Sequence, residues 1–274
     1  MIPLEDTAAD IIGKAQRGLC VSDSQLAERA GITAEQVRRL RDGEPDEGGL
    51  RRAAPVLQLD PDGLAKLANG SWIPEEIGQI DGLAQFNTTY GDMTVNAYLV
   101  WDPKTLEAVA FDTGADASGM IAEGHKRDLS FMFILLTHGH PDHVADLSNL
   151  AMATGAPIFV SSDEPVRHAK PVAEGDVRKV GSLSIEARLT SGHSAGGITY
   201  VVTGLAHPIA IVGDSLFAAS MGGGAVSYED ALKNNLEKIL TLPDDTIVCP
   251  GHGPLTTVGK EKRENPFFAA HFRK

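Results

Sequence analysis

Cysteine is nearly absent from this 274-residue chain, and the two that occur, Cys20 and Cys249, lie far apart in stretches that read as a helix and a strand. A disulfide framework is therefore not expected. Long apolar runs are missing too. None approaches the roughly 20 residues needed to span a bilayer, and no basic segment leads into an apolar core with a small-residue cleavage site. The expectation is a cytoplasmic protein with no membrane span. An excess of positive charge is also lacking, since the formal net charge is −13. Surfaces that bind nucleic acid or anionic membrane non-specifically are basic, so the overall charge disfavours both partners and mainly serves solubility.

What is present is an apolar fraction of 42%, ordinary for a soluble globular protein, in a chain long enough for one large or two smaller domains. The densest chemistry lies in Thr137-His138-Gly139-His140-Pro141-Asp142-His143, directly after the apolar run at 131–136. An uncharged run bounded by a loop signal reads as a buried strand that delivers the next residues to the rim of a sheet. Three imidazoles and a carboxylate on one turn suit zinc, or iron and manganese, whereas a sulfur-rich set would indicate closed structural zinc. Turning four ligand-type side chains outward together has no folding benefit, so the cluster points to a catalytic metal.

Three later strand ends repeat the pattern. A strand over 183–189 is followed by His193; a hairpin of 198–203 with 209–212 ends at Asp214; and a helix over 228–240 precedes a strand at 246–249 that runs into Pro250-Gly251-His252-Gly253. A loop histidine or a turn aspartate carries little by itself. Four strand ends delivering ligand-type residues in one chain carry more. Upstream, strands at 95–101 and 108–112 flank the turn 102–104, a helix covers 119–127, and apolar positions 144, 147 and 150 mark a helix before a strand at 157–160. Strand, helix and strand in succession predict an α/β architecture. His125, His168, His207 and His271 have no such context and read as surface or packing residues.

The first seventy residues differ. Helical spacing holds from Leu4 to about Asn69, with breaks at Gly18, Gly31, Gly43, Gly48-Gly49 and Asp60-Pro61, which predicts four or five short helices. Thr33 is placed to cap one of them, with Gln36 completing a capping box. Residues 20–69 resemble the helix-turn-helix of phage-repressor-like DNA-binding domains, and the resemblance implies that Arg38 and Arg39 face bases. Yet residues 1–70 hold nine Lys or Arg against twelve Asp or Glu. DNA readers show a local basic excess, so a packing or homodimerisation module is the preferred reading and nucleic-acid contact the alternative. The expected division is a helical domain at 1–70, a linker at 71–80 and a second domain at 81–274.

Over residues 80–274 the order H-x-H-x-D-H, then H, then D, then H resembles the metallo-β-lactamase fold superfamily. Gly213-Asp214-Ser215-Leu216-Phe217, Leu242-Pro243-Asp244-Asp245, residues 250–257 and Glu264-Asn265-Pro266-Phe267 are similar to its glyoxalase II-like branch. The resemblance implies a four-layer αβ/βα sandwich with metals at one edge. It implies two divalent ions, zinc foremost with iron or manganese as alternatives: one held by His138, His140 and His193, the second by Asp142, His143 and His252, with Asp214 bridging. A water shared by such ions is the expected nucleophile toward a small thioester or related ester, oriented by Asp142, with a thiolate as leaving group. Tyr200 falls where a substrate-contacting tyrosine is expected. Two departures stand out: only 22 residues follow His252, so the helical C-terminal addition of glyoxalase II is missing, and Gly223 stands where a basic substrate contact is usual. Two other readings remain: a mononuclear iron, persulfide dioxygenase-like enzyme using His138, His193 and Asp214, and a DNA-binding regulator whose metal domain senses a ligand.

Overall fold

Capping explains where the first helices start. In the computed structural model, which describes residues 2–273, five helices precede any strand: α1 (Ala8–Gly18), α2 (Asp23–Ala30), α3 (Ala34–Arg41), α4 (Glu47–Val56) and α5 (Pro61–Ala68). Thr7, Ser22 and Thr33 each form a reciprocal capping box with the residue three positions on, and the carboxylates of Asp46 and Asp60 cap α4 and α5. Gly31 closes α2 at φ 62°, a left-handed conformation that favours glycine. Cys20 lies in the turn just past α1 rather than within a helix.

Residues 71–80 carry no helix or strand. The first sheet then forms from β1 (Leu83–Tyr90), β2 (Met93–Trp101), β3 (Glu107–Phe111), β4 (Ser130–Leu135), β5 (Ile158–Ser161) and β6 (Lys170–Val172), in that order. From β3 to β6 the pairing is parallel, and the crossovers are α6 (Ser118–Lys126) and the pair α7 (Pro141–Val144) and α8 (Leu147–Thr154). The second sheet has the order β14-β13-β10-β9-β8-β7. Its strands are β7 (Val177–Val180), β8 (Leu183–Leu189), β9 (Ile198–Thr203), β10 (Ile209–Gly213), β13 (Ile247–Pro250) and β14 (Thr256–Thr257). A small hairpin of β11 (Leu216–Phe217) and β12 (Ser220–Met221) leads to α9 (Tyr228–Asn234), and α10 (Val258–Glu264) and α11 (Ala269–Phe272) close the chain.

The helix expected over 228–240 is interrupted, because α9 gives way to a π-helical turn at Asn235–Ile239. Asn235 is buried and its amide donates to Ala231 O at 2.9 Å and Ser215 O at 2.8 Å. A side chain inserted into the helical ladder is a usual cause of such a bulge.

Alternation along the strands builds two faces on each sheet. Tyr98, Phe111 and Leu135 of one sheet meet Ile185, Tyr200 and Ile211 of the other between the layers. Ala97, Leu99 and Ile134 point outward onto Met120 of α6 and Leu150 of α8. Val201, Ala210, Val212 and Val248 face outward from the second sheet into a core shared with Ile11, Leu26, Leu57 and Leu64 of the N-terminal helices and with Phe267 and Phe268. The result is the αβ/βα sandwich, with the first five helices merged into its outer helical layer through continuous apolar packing. No helix among the described residues is long and apolar enough to cross a membrane.

Candidate metal centre

The strands β4, β8, β10 and β13 end at one edge of the sandwich, and each is followed within four residues by a ligand-type side chain. All seven residues expected at a metal site meet there. His138, His140, His193 and Asp214 form one group whose ligand atoms lie within 4.8 Å of one another, and Asp142, His143 and His252 form a second with the same spread. Asp214 lies between them, with Oδ2 3.3 Å from His193 Nε2 and 3.5 Å from His252 Nε2, and Oδ1 3.3 Å from His143 Nε2.

Ring nitrogens converge in a way that hydrogen bonding alone does not satisfy. His140 Nδ1 lies 3.0 Å from His138 Nε2 and 3.1 Å from His193 Nε2. That nitrogen has a single in-plane lone pair or proton, which can point squarely at only one of the two neighbours, whereas nitrogens about 3.3 Å apart are what a tetrahedral ion with bonds of about 2.05 Å requires. His143 Nε2 and Asp214 Oδ1 are buried with no hydrogen-bond partner. Buried polar atoms are rarely left so. The donor set, two bare buried atoms and their common focus all fit metal ions.

Charge within the cluster is unevenly placed. Burial and the neighbouring His143 push His138 well below the usual imidazole range, and burial lowers His193. Burial also opposes a charge on His143 and His252, but Asp214 and Asp112 hold the first up to about 10, and Asp142 and Asp214 hold the second up to about 11. Burial would raise Asp214, yet the adjacent His143 and His252 keep it well below the ordinary carboxylate range. The carboxylates thus remain ionised at the centre, as ligands must.

The orienting residues were not evident in the sequence. Asp112, at the end of β3, accepts from Thr137 N at 2.7 Å and Thr137 Oγ1 at 2.8 Å and faces His143 Nδ1 at 2.8 Å. Glu164 accepts from Gly139 N at 2.9 Å and Gly196 N at 2.8 Å, tying the His138–His140 turn to the loop after His193. Asn96 on β2 donates to Pro250 O at 3.0 Å and Gly253 O at 2.8 Å, one on each side of His252. Asp112 carried the signal of a carboxylate at a strand end. Glu164 carried none, since its partners are backbone groups brought close only by folding.

Tyr200 is a correction. It is 1% exposed, its hydroxyl donates to Leu136 O at 3.0 Å, and its ring packs on Phe111 between the sheets, so it cannot touch a substrate. Arg38 is paired with Glu35 and Asp42, and Arg39 with Glu44, so both guanidinium groups face carboxylates close in sequence. His125, His168, His207 and His271 are exposed and away from the cluster.

A family model described as the metallo-beta-lactamase superfamily matches residues 90–252, more than half of the chain. The hydroxyacylglutathione hydrolase GloC of Haemophilus influenzae is 30% identical, over 63% of this chain and 92% of that protein. Among solved structures, ETHE1 from Myxococcus xanthus aligns at 26% identity with a TM-score of 0.60, covering 68% of this chain and 85% of that one. TTHA1623 in a di-iron-bound form aligns at 29% identity with a TM-score of 0.55, covering 67% and 100%.

Proposed function

The chain belongs to the metallo-β-lactamase superfamily, and we propose that it is a dinuclear metal-dependent hydrolase of small thioesters or related esters. His138, His140 and His193 would hold one ion, Asp142, His143 and His252 the other, and Asp214 lies between the two sets. The observation that carries this reading is the pair of complete ligand groups meeting at Asp214. Two divalent ions there would lower the pKa of a shared water toward neutrality and clamp the charge that develops as it attacks.

The chain's own residues supply the rest. Asp142 faces the centre with Oδ2 3.3 Å from His252 Nε2, and it is the carboxylate placed to orient the attacking water and take its proton. Asp112, Glu164 and Asn96 keep the ligands aimed without touching substrate. A thiolate with pKa near roughly 8.5 leaves without a strong general acid, so the reaction needs no further proton donor. The GloC relative supports the thioester class. Gly223 offers no side chain to the thiol carrier, so the carrier need not be glutathione.

Elemental analysis of untagged protein purified without chelator tests the reading. About two equivalents of zinc, iron or manganese per chain, with hydrolysis of acyl thioesters, is the expected result. The two-histidine, one-carboxylate face of His138, His193 and Asp214 keeps a mononuclear iron oxygenase as the second reading. About one equivalent of iron, with oxygen uptake on a persulfide and no hydrolysis, would replace the first reading with that one.

A further inference from the structure

We propose that Lys14, together with Asp6, is a positioning residue of the metal centre, so that the N-terminal helices complete the site rather than stand beside it. The inference rests on the reading of the cluster as a metal centre. Lys14 lies on α1, yet its ammonium reaches the β11–β12 hairpin. It pairs with Asp6 Oδ2 at 2.5 Å, donates to Met221 O at 2.8 Å, and lies 5.1 Å from the centre of the Phe217 ring. The same Asp6 oxygen accepts from Ser220 Oγ at 2.5 Å. The lysine side chain is only 13% exposed and the aspartate's 8%. A charge this far out of water is costly unless its partners are fixed, so the pair acts as a rigid peg.

What the peg holds is the wall of the site. Met221 opens the run Gly222-Gly223-Gly224. Gly222 passes so close to the carbonyl of Asp214 that a side chain there would overlap it. His193 Nδ1 lies 3.1 Å from Gly223 O, which turns its Nε2 toward the centre. Phe217, beneath the Lys14 ammonium, meets His252 edge-on, with ring centres 5.8 Å apart and planes at 90°. One turn along α1, Gly18 passes against the ring of Tyr228, whose backbone in turn leaves no room for a side chain at Gly224. The helix thus braces the glycine run at both ends. Without the ammonium, the Met221 carbonyl loses its 2.8 Å donor from α1, and the glycine run gains freedom that His193 must then oppose.

The test uses the full chain as wild type, as Lys14→Met, and as the double variant Asp6→Asn/Lys14→Met, which removes the unpaired buried carboxylate that the single change leaves. Metal per chain, the rate of metal loss to a chelator and the thermal unfolding midpoint are measured on each. Removing a group that orients metal ligands typically costs 10–100-fold in affinity. The expected result is metal loss faster by about 10-fold or more in both variants, with the double variant unfolding close to the wild-type midpoint. Variants that unfold earlier but hold metal as firmly as wild type would make Lys14 merely structural and overturn the proposal. A wild-type chain that takes up no metal would instead overturn the metal-centre reading, and this inference with it.

Discussion

Asp112 Oδ2 lies 2.8 Å from His143 Nδ1. A carboxylate there can only accept, so Nδ1 keeps a proton and Nε2 is the nitrogen turned toward the metal centre, where it becomes a ligand on giving up any second proton. Asp112 has φ 55°, a left-handed conformation that asparagine also tolerates. Asp112→Asn therefore preserves the backbone and, with the amide oxygen kept on Thr137 N, puts an NH2 donor in place of the acceptor that faces His143. The expected outcome is a 10–100-fold loss of metal affinity, measured by chelator competition, with the fold retained by circular dichroism.

Asp142→Ala deletes one member of the second ligand group and leaves the first untouched. Metal content should fall from about two to about one equivalent, and hydrolysis should be abolished in a folded protein. Full activity in this variant would remove the dinuclear mechanism.

Gly251 is tightly enclosed. A side chain there would overlap Asp214 Oδ1 and come within 2.6 Å of His143 Cε1. Gly251→Ala should push one of these ligands off its position, so that metal uptake drops while the sheets, whose cores lie elsewhere, stay intact. Elemental analysis beside near-ultraviolet dichroism separates the two effects.

Asp102 joins the β2–β3 turn to the β7–β8 turn, accepting from Ser182 N at 2.5 Å and Lys104 N at 2.8 Å. Those backbone donors lower its pKa from 3.8 to about 2. The folded state thus holds the carboxylate charged more firmly than the unfolded chain does. Its contribution is fully present above pH 4 and is lost as pH falls through about 2. Asp102→Asn should cost on the order of 1–2 kcal/mol at neutral pH, the worth of charge-assisted hydrogen bonds. The gap between wild type and variant in urea melts should close on acidification. A gap that stays constant from pH 7 to pH 2 would contradict this role.

Removal of residues 1–70 would uncover Val201, Ala210, Val212, Phe267 and Phe268, which share a core with the N-terminal helices. Exposed contiguous apolar surface of this kind promotes aggregation. The truncated chain is expected to bind a hydrophobic dye and to sediment as aggregates. A soluble, metal-loaded monomer would show instead that the division at 70 separates independent domains.

The residues that could hold metal, the α/β class and the Thr33 cap of α3 were readable from the sequence, because each rests largely on short-range chemistry. Imidazoles and carboxylates after an apolar run, alternation along strands, and a capping hydroxyl three residues before its partner need no knowledge of the rest of the chain. The π-helical turn at Asn235–Ile239 was not readable, since the Asn235 amide there also reaches a carbonyl twenty residues upstream in sequence. Tyr200 was misassigned for the same kind of reason. Which face of β9 looks into the sandwich and which toward solvent depends on the opposite sheet, and Tyr200 points at Phe111. Lys14 and Met221 are 207 residues apart and meet only because the first helices share a core with the second sheet. The sequence by itself determined which residues can hold metal; only the tertiary structure decided what aims them, because hydrogen bonds to backbone carbonyls and amides depend on where the chain passes and leave no mark on the residues at the receiving end.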